Sequence, residues 1–330
     1  MVAEKDHRLF EIFAAIEIAN IVLSFFTNIF LILIVIKAAK ELGNYRFLLL
    51  AFAINDIWFP LVHLLTLPII CSYRDAFIMF SNGILTSKFS ICLFAATFSQ
   101  TMPIFAHLFI YRLVALKWPT FAHFYSFWNT FVVVLSTVLF QLALWFANCW
   151  FNYDSDDVLQ RYVKPFLDEE FPGGVTGLGH IGTLYYNERG LRTSAVLTTM
   201  GFNGIMLVWF TVILVCTVLT VRCFRNSDGK LASKTRCLQK QLFKTLIIQM
   251  AVPVICVYLP CAGIINCPML FRISVFPNLV SALVTFFPVV DAVLTLVCVK
   301  VFRDKIRSVC RRIRHLNFDR SSSVQVTGNA

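Results

Sequence analysis

Seven stretches of this chain are each long and apolar enough to cross a lipid bilayer, and that leaves few folds open. They run at about Ile12 to Ile36, Phe47 to Ile70, Phe89 to Ile110, Phe124 to Phe151, Thr193 to Val221, Thr245 to Ile265 and Ile273 to Val299. At about 1.5 Å per residue, roughly twenty helical residues cover the ~30 Å hydrocarbon core. A spanning strand needs only about ten residues and a closed barrel, so runs of this length read as helices. Only 14% of residues are charged and the mean hydropathy is +0.75, whereas a soluble domain carries about a quarter charged residues. The expected fold is an all-α, seven-transmembrane helix bundle in one domain, residues 1–305. A basic amphipathic helix and a polar tail follow over 300–330.

Orientation follows from Lys and Arg. With the N-terminus outside, the inner segments hold 20 of the 29 basic residues and the outer ones 9. Cytoplasmic loops carry the excess of Lys and Arg, so the N-terminus is expected outside and the C-terminus inside. The net charge of +11 sits in short loops beside apolar spans, which argues for the bilayer surface and against nucleic acid. No basic leader with a short apolar core and a small-residue cleavage site begins the chain, so the first span is expected to act as its own insertion signal. Seven spans in this orientation match the plan of G-protein-coupled receptors.

Within that plan, Arg222 to Lys244 carries seven basic residues against Asp228 and feeds directly into the sixth span. Pro253 and Pro260 interrupt that span, remove backbone donors and predict a kinked, movable helix. Ionisable residues inside spans usually face the bundle interior. Asp56 lies ten residues after Arg46 and Asp291 nine before Lys300, so both sit about 14 Å above the inner boundary by helix rise. They are expected either to share a polar or ion-holding cluster or to be held singly by hydrogen bonds. His63 and His107 read as satisfied core histidines rather than metal ligands. Polar stripes follow Asp56, His63 and Thr66 on span two, Thr97, Gln100, His107 and Tyr111 on span three, and Asn278, Ser281, Thr285 and Pro288 on span seven. For a ligand pocket in the outer half, the polar candidates are Thr97, Gln100, Thr101, Thr198, Thr199, Tyr258, Asn278 and Ser281.

At the outer ends of spans three and four, Cys92 and Cys149 are candidates for a disulfide, with Cys71 and Cys267 as rival partners. The long outer loop, Asn152 to Arg192, contains seven acids and reads as a solvated acidic lid, with direct capture of a cationic ligand as the sharper alternative. Beyond span seven, Lys300 to His315 places apolar residues at helical spacing among basic ones, as on an inner membrane face. Cys310 on it is a candidate for palmitoylation, and Ser321, Ser322, Ser323 and Thr327 form a polar tail open to phosphorylation. No phosphate-binding loop, zinc-protease motif, nucleophile elbow or Cys-x-x-Cys metal pair occurs, and Ile273 to Val299 holds no lysine for a retinal link. No enzyme, cofactor or metal is expected.

Several segments resemble a known family. Leu42-Gly43-Asn44-Tyr45-Arg46-Phe47, Cys71-Ser72-Tyr73-Arg74-Asp75-Ala76-Phe77 and His107-Leu108-Phe109-Ile110-Tyr111-Arg112 are similar to motifs of nematode Str-type serpentine chemoreceptors, a group related to Srj and Srd. So are Leu238 to Gln249 with Pro253 and Tyr258-Leu259-Pro260, and Phe287-Pro288-Val289-Val290-Asp291 with Val299-Lys300-Val301-Phe302-Arg303. Ala292 stands where the family has proline and Cys71 where it has histidine. The resemblance implies a chemosensory, olfactory-type receptor in the plasma membrane of sensory-neuron cilia. It also implies a small-molecule odorant as ligand and a heterotrimeric G protein as partner. Arg112, Lys240, Lys244 and Arg303 would serve coupling, though Tyr111 replaces the acid that usually precedes such an arginine. A ligand-gated cation channel would need the inverted orientation, and a transporter would need internal repeats that the sequence lacks.

Overall fold

A computed structural model describes residues 2–153, 157–170, 177–226, 233–271 and 277–311, with side chains described for 11–153, 157–168, 177–226, 237–271 and 280–311. The seven expected spans are present as Glu11–Lys37, Tyr45–Thr66, Lys88–Lys117, Phe127–Asn152, Thr193–Asn226, Cys237–Leu270 and Val280–Cys298. The third is the central post: 83% of its most apolar window is buried, against 17% for the fifth. The exposed apolar side chains of the outer spans, such as Phe26, Phe140, Leu207 and Val208, are what a lipid-facing surface requires.

Two spans are interrupted where the sequence removes a backbone donor. Span three breaks at Gln100, between helices Lys88–Ser99 and Thr101–Lys117. Pro103 has no N–H for the Ser99 carbonyl, so the ladder cannot run through this point. In span six, helix Ser233–Pro253 passes into a single π turn, Val254–Tyr258, before resuming at Leu259–Leu270. The foreseen kink is therefore a π bulge flanked by Pro253 and Pro260, a feature that bends helices and often marks moving sites.

The outer face differs most from expectation. Span two was expected to reach Ile70 but stops at Thr66. Leu67 takes a left-handed conformation and donates to the His63 carbonyl, and Pro68 follows. A residue before proline is pushed away from helix, and proline commonly follows a helix cap. The apolar run continues instead as strand β1, Pro68–Tyr73, paired antiparallel with β2, Ala76–Ser81, which pairs in turn with β3, His180–Leu184. β3 comes from the long outer loop, which is thus a folded lid whose described acids Asp157, Asp168 and Glu188 stay exposed. That loop also forms an outer helix, Asp157–Glu170, whose Leu159, Val163, Phe166 and Leu167 pack on the sheet. Its polar face meets water and its apolar face the sheet, the amphipathic pattern of a surface helix.

Strand alternation divides the sheet's side chains between two cores. Ile70, Phe77, Met79 and Ile181 join the core of the bundle. Ile69, Cys71, Ala76, Ile78, Phe80 and Leu184 join a smaller core under the outer helix. Cys92 and Cys149, the candidates for a bridge, are free thiols in this structure, both fully buried, and pack as small apolar side chains. At the basic end, residues 300–311 are helical. Phe302 of this helix is buried in the bundle core, so the helix is pinned to the protein as well as set for a membrane face. Lys305 pairs with Glu41 at 2.8 Å, and that contact holds the Glu41 carboxyl below its usual range. The polar tail with Ser321, Ser322, Ser323 and Thr327 lies outside the described residues.

Gly182 tests whether the sheet is a packed unit. A Cβ there would lie 2.9 Å from Leu159 Cδ2 and press on the Phe77 carbonyl. Gly182→Val is expected to cost about 1–3 kcal/mol by overpacking and to lower the Tm of the purified protein. Gly204→Ala, with open space around it, serves as the control and leaves Tm unchanged or raised.

Candidate functional site

Beneath the sheet lies a cavity of about 50 Å³ in the outer half of the bundle. Ile70, Phe77 and Met79 roof it from the sheet. Its walls are Phe94, Ala95 and Phe98 of span three, Trp145 and Cys149 of span four, with Tyr153 just beyond, and Phe202 of span five. Cys261 and Ile265 of span six and Val284 of span seven complete them. Aromatic packing sets the shape: Trp145 lies 4.6 Å from Phe202 and Tyr153 5.3 Å from Phe202, centroid to centroid. A water-sized group needs about 10–15 Å³ by this measure, so the cavity has room for roughly four such groups. Among the described residues, no charged side chain lines it. Tyr185 pins the roof to the bundle: its hydroxyl lies 2.8 Å from Thr199 Oγ1 and donates to the Ile265 carbonyl at 2.7 Å. Burial pushes its phenol up to about 12, so it stays a neutral donor.

None of the polar side chains expected to contact ligand lines this cavity. Thr97 donates to Phe94 in its own helix, and Thr198 to Ser194 and Asn152. Thr101 accepts from Asn55, and Ser281 donates to the Pro68 carbonyl at 2.9 Å. Thr199 is held by Tyr185, and Gln100 is buried at the break in span three. Tyr258 is buried in the π turn against Phe98 and Phe210. The side chain of Asn278 lies outside the described ones. Polar side chains in a bilayer bond to neighbouring helices, which leaves the apolar ones to surround the cavity.

A polar core runs below the cavity. Span one supplies a stripe that sequence reading passed over: Glu17, Asn20, Ser24 and Asn28, spaced to share one helix face. Asn20 donates to Thr285 Oγ1 and Asn28 to the Pro288 carbonyl, while Ser24 donates to the Asp56 carbonyl. Glu17 Oε2 lies 3.1 Å from His63 Nε2, both buried. The signal for this partner was Glu17 itself, the charge immediately outside the uncharged run from Ile18 to Ile36. His107 contacts Thr137 Oγ1 at 3.1 Å. Asp56 and Asp291, expected either to share a cluster or to be held singly, lie within electrostatic reach of each other. Gln249 Nε2 donates to both Asp291 oxygens at 3.0 Å and to Thr295 Oγ1 at 2.7 Å. Neither Asp56 carboxylate oxygen has a hydrogen-bond partner among the described residues. Two adjacent buried carboxyls need a compensating positive charge, a proton or a cation.

At the basic end, Arg112 is buried with its guanidinium 3.4 Å above the Tyr45 ring, and it donates to Gln239 Oε1 at 2.7 Å. Tyr111, where an acid was the usual expectation, stacks on Tyr45 at 5.4 Å instead. Spans two, three and six therefore meet at one cation without a carboxylate. Lys240, Lys244 and Arg303 are exposed at the same end, and so is Cys310.

Gln249 is a testable keystone. Gln249→Leu leaves buried Asp291 oxygens without donors and is expected to cost about 1–3 kcal/mol. Combined with Asp291→Leu, thermal unfolding should show a cost below the sum of the two single changes. Additive costs would show that the pair is not coupled.

The sequence profile of the family described as "Serpentine type 7TM GPCR chemoreceptor Str" matches residues 13–307. Relatives in Caenorhabditis elegans include "G-protein coupled receptor str-217", 27% identical over 295 residues, or 83% of each chain. "G-protein coupled receptor str-33" is 23% identical over 291 residues, 84% of each. "Serpentine receptor class r-10" is 22% identical over 319 residues, 93% of this chain and 94% of that one. A match spanning nearly all of the seven-helix bundle makes this multi-pass membrane protein a member of the Str family of serpentine, G-protein-coupled-receptor-type chemoreceptors.

Proposed function

We propose that the chain binds a small, uncharged, apolar chemical cue in the cavity beneath the sheet and signals through a heterotrimeric G protein at its basic end. The observation that carries this reading is the cavity itself, enclosed by spans three to seven, lined by aromatic and aliphatic side chains and free of charge. Its volume favours odorants of few heavy atoms, and its lining offers them dispersion and little hydrogen bonding. In this reading the protein is a receptor and not an enzyme. It works in the plasma membrane of sensory cilia, with the sheet outside and Arg112 inside.

Ligand shifts an equilibrium between bundle states. Cys261 and Ile265 line the cavity a few residues above the π turn, and Gln239 grips Arg112 below it. A tilt of span six about that turn therefore links cavity to latch. A buried cation–π contact is worth about 2 kcal/mol and a hydrogen bond to a charged group about 1.5–3. Together they match the few kcal/mol that separate interconverting states. Opening the latch exposes Arg112 beside Lys240 and Lys244 for the partner.

The test is a G-protein reporter in cells challenged with a panel of small volatiles. Ala95→Leu, which fills the cavity, should weaken the response to an active odorant by at least about tenfold with normal surface expression. Gln239→Ala should raise the signal without odorant. Activity untouched by Ala95→Leu, or a basal signal unmoved by Gln239→Ala, would refute the assignment.

A further inference from the structure

A second, larger cavity lies on the other side of the sheet, between its outer surface and the outer helix. Its volume is about 400 Å³. Ile78 and Phe80 of β2 form its floor. These are the alternates of Phe77 and Met79, which roof the bundle cavity. The two cavities share a strand and do not share a residue. Strand alternation makes them separate sites.

The rim is charged in a balanced way. Asp157, Arg161, Lys164 and Asp168 line the cavity from one side of the outer helix. Their spacings of four, three and four place them within neighbouring turns. None of the four takes part in an ion pair among the described residues, where the pairs are His63 with Glu17 and Lys305 with Glu41. Arg161 commits only its Nε, to the Asp157 carbonyl at 3.1 Å. His180, also on the lining, faces Gln160 through Nδ1 at 3.2 Å, while its buried Nε2 has no partner.

From this pattern we infer that the outer cavity is a binding site for a free amino acid with an apolar side chain. A guanidinium fork and an ammonium one turn apart fit a carboxylate. Asp168, one turn beyond Lys164, receives the ligand's ammonium group, and the floor takes the apolar side chain. A simple anion would face Asp157 and Asp168, and a simple cation would face Arg161 and Lys164. A neutral apolar molecule would use the floor but none of the charged side chains on the rim. A ligand with both charges and an apolar body engages Arg161, Lys164, Asp168 and the floor together.

The experiment is calorimetric titration of the full-length receptor in nanodiscs of dioleoylphosphatidylglycerol, which offer no competing zwitterion. The probes are L-leucine, 4-methylpentanoate without the ammonium, and 3-methylbutylamine without the carboxylate. L-leucine is expected to bind, with both analogues weaker by at least about tenfold. Arg161→Gln and Asp168→Asn should each weaken leucine by about tenfold, while Ala95→Leu in the bundle cavity leaves it unchanged. No leucine binding, equal binding of either analogue, or sensitivity to Ala95→Leu but not to Arg161→Gln overturns the inference. The assay reads binding alone, so its failure leaves the odorant cavity and coupling to be judged by the reporter.

Discussion

The hydrocarbon interior offers no water to a polar group, and this protein answers that constraint with bonds between spans. Asn20, Ser24 and Asn28 tie span one to spans seven and two. Gln249 ties span six to Asp291 and Thr295 on span seven. Gln141 accepts from Trp209 between spans four and five. Each such bond is worth about 1 kcal/mol or less in a bilayer, so together they fix helix order and rotation more than they add stability. Among the described residues, the two Asp56 oxygens are the buried carboxylate oxygens left without a hydrogen-bond partner, beside a second buried carboxyl.

The polar side chains are occupied in this way, and the cavity beneath the sheet is left with an apolar lining. The outer cavity of the bundle is closed by a β sheet built from two loops, pinned to it by Tyr185 and Ser281. At the other end, the Arg112 guanidinium stacks on Tyr45 and holds Gln239. The π turn in span six lies between these two ends, where Pro253 and Pro260 weaken the helix ladder.

Most of the bundle was legible in the sequence, because span-length apolar runs and flanking charge are strong local signals. Seven spans are present, with ends shifted by a few residues where Leu67-Pro68 stops the second and a short 3-10 turn precedes the fourth. The outer sheet was not legible from hydropathy alone. Ile69, Ile70 and Cys71 extend the apolar run of span two, and only Leu67-Pro68 marks the change from helix to strand. β3 pairs with a strand about a hundred residues earlier, a contact no local pattern encodes. The lining of the bundle cavity was not legible for a different reason: polar residues such as Thr198 and Ser281, candidates for ligand contact, bond to neighbouring backbone carbonyls in the bundle.

Everything proposed here depends on the sheet and its cavity facing outward and Arg112 facing the cytoplasm. The measurement that bears on this most directly is antibody access, in intact cells, to epitope tags placed at Met1 and at Ala330. Labelling of the Met1 tag alone, with the Ala330 tag reached only after permeabilisation, is the predicted result. Labelling of the Ala330 tag alone would invert the bundle, put the cavity inside the cell and contradict the receptor account.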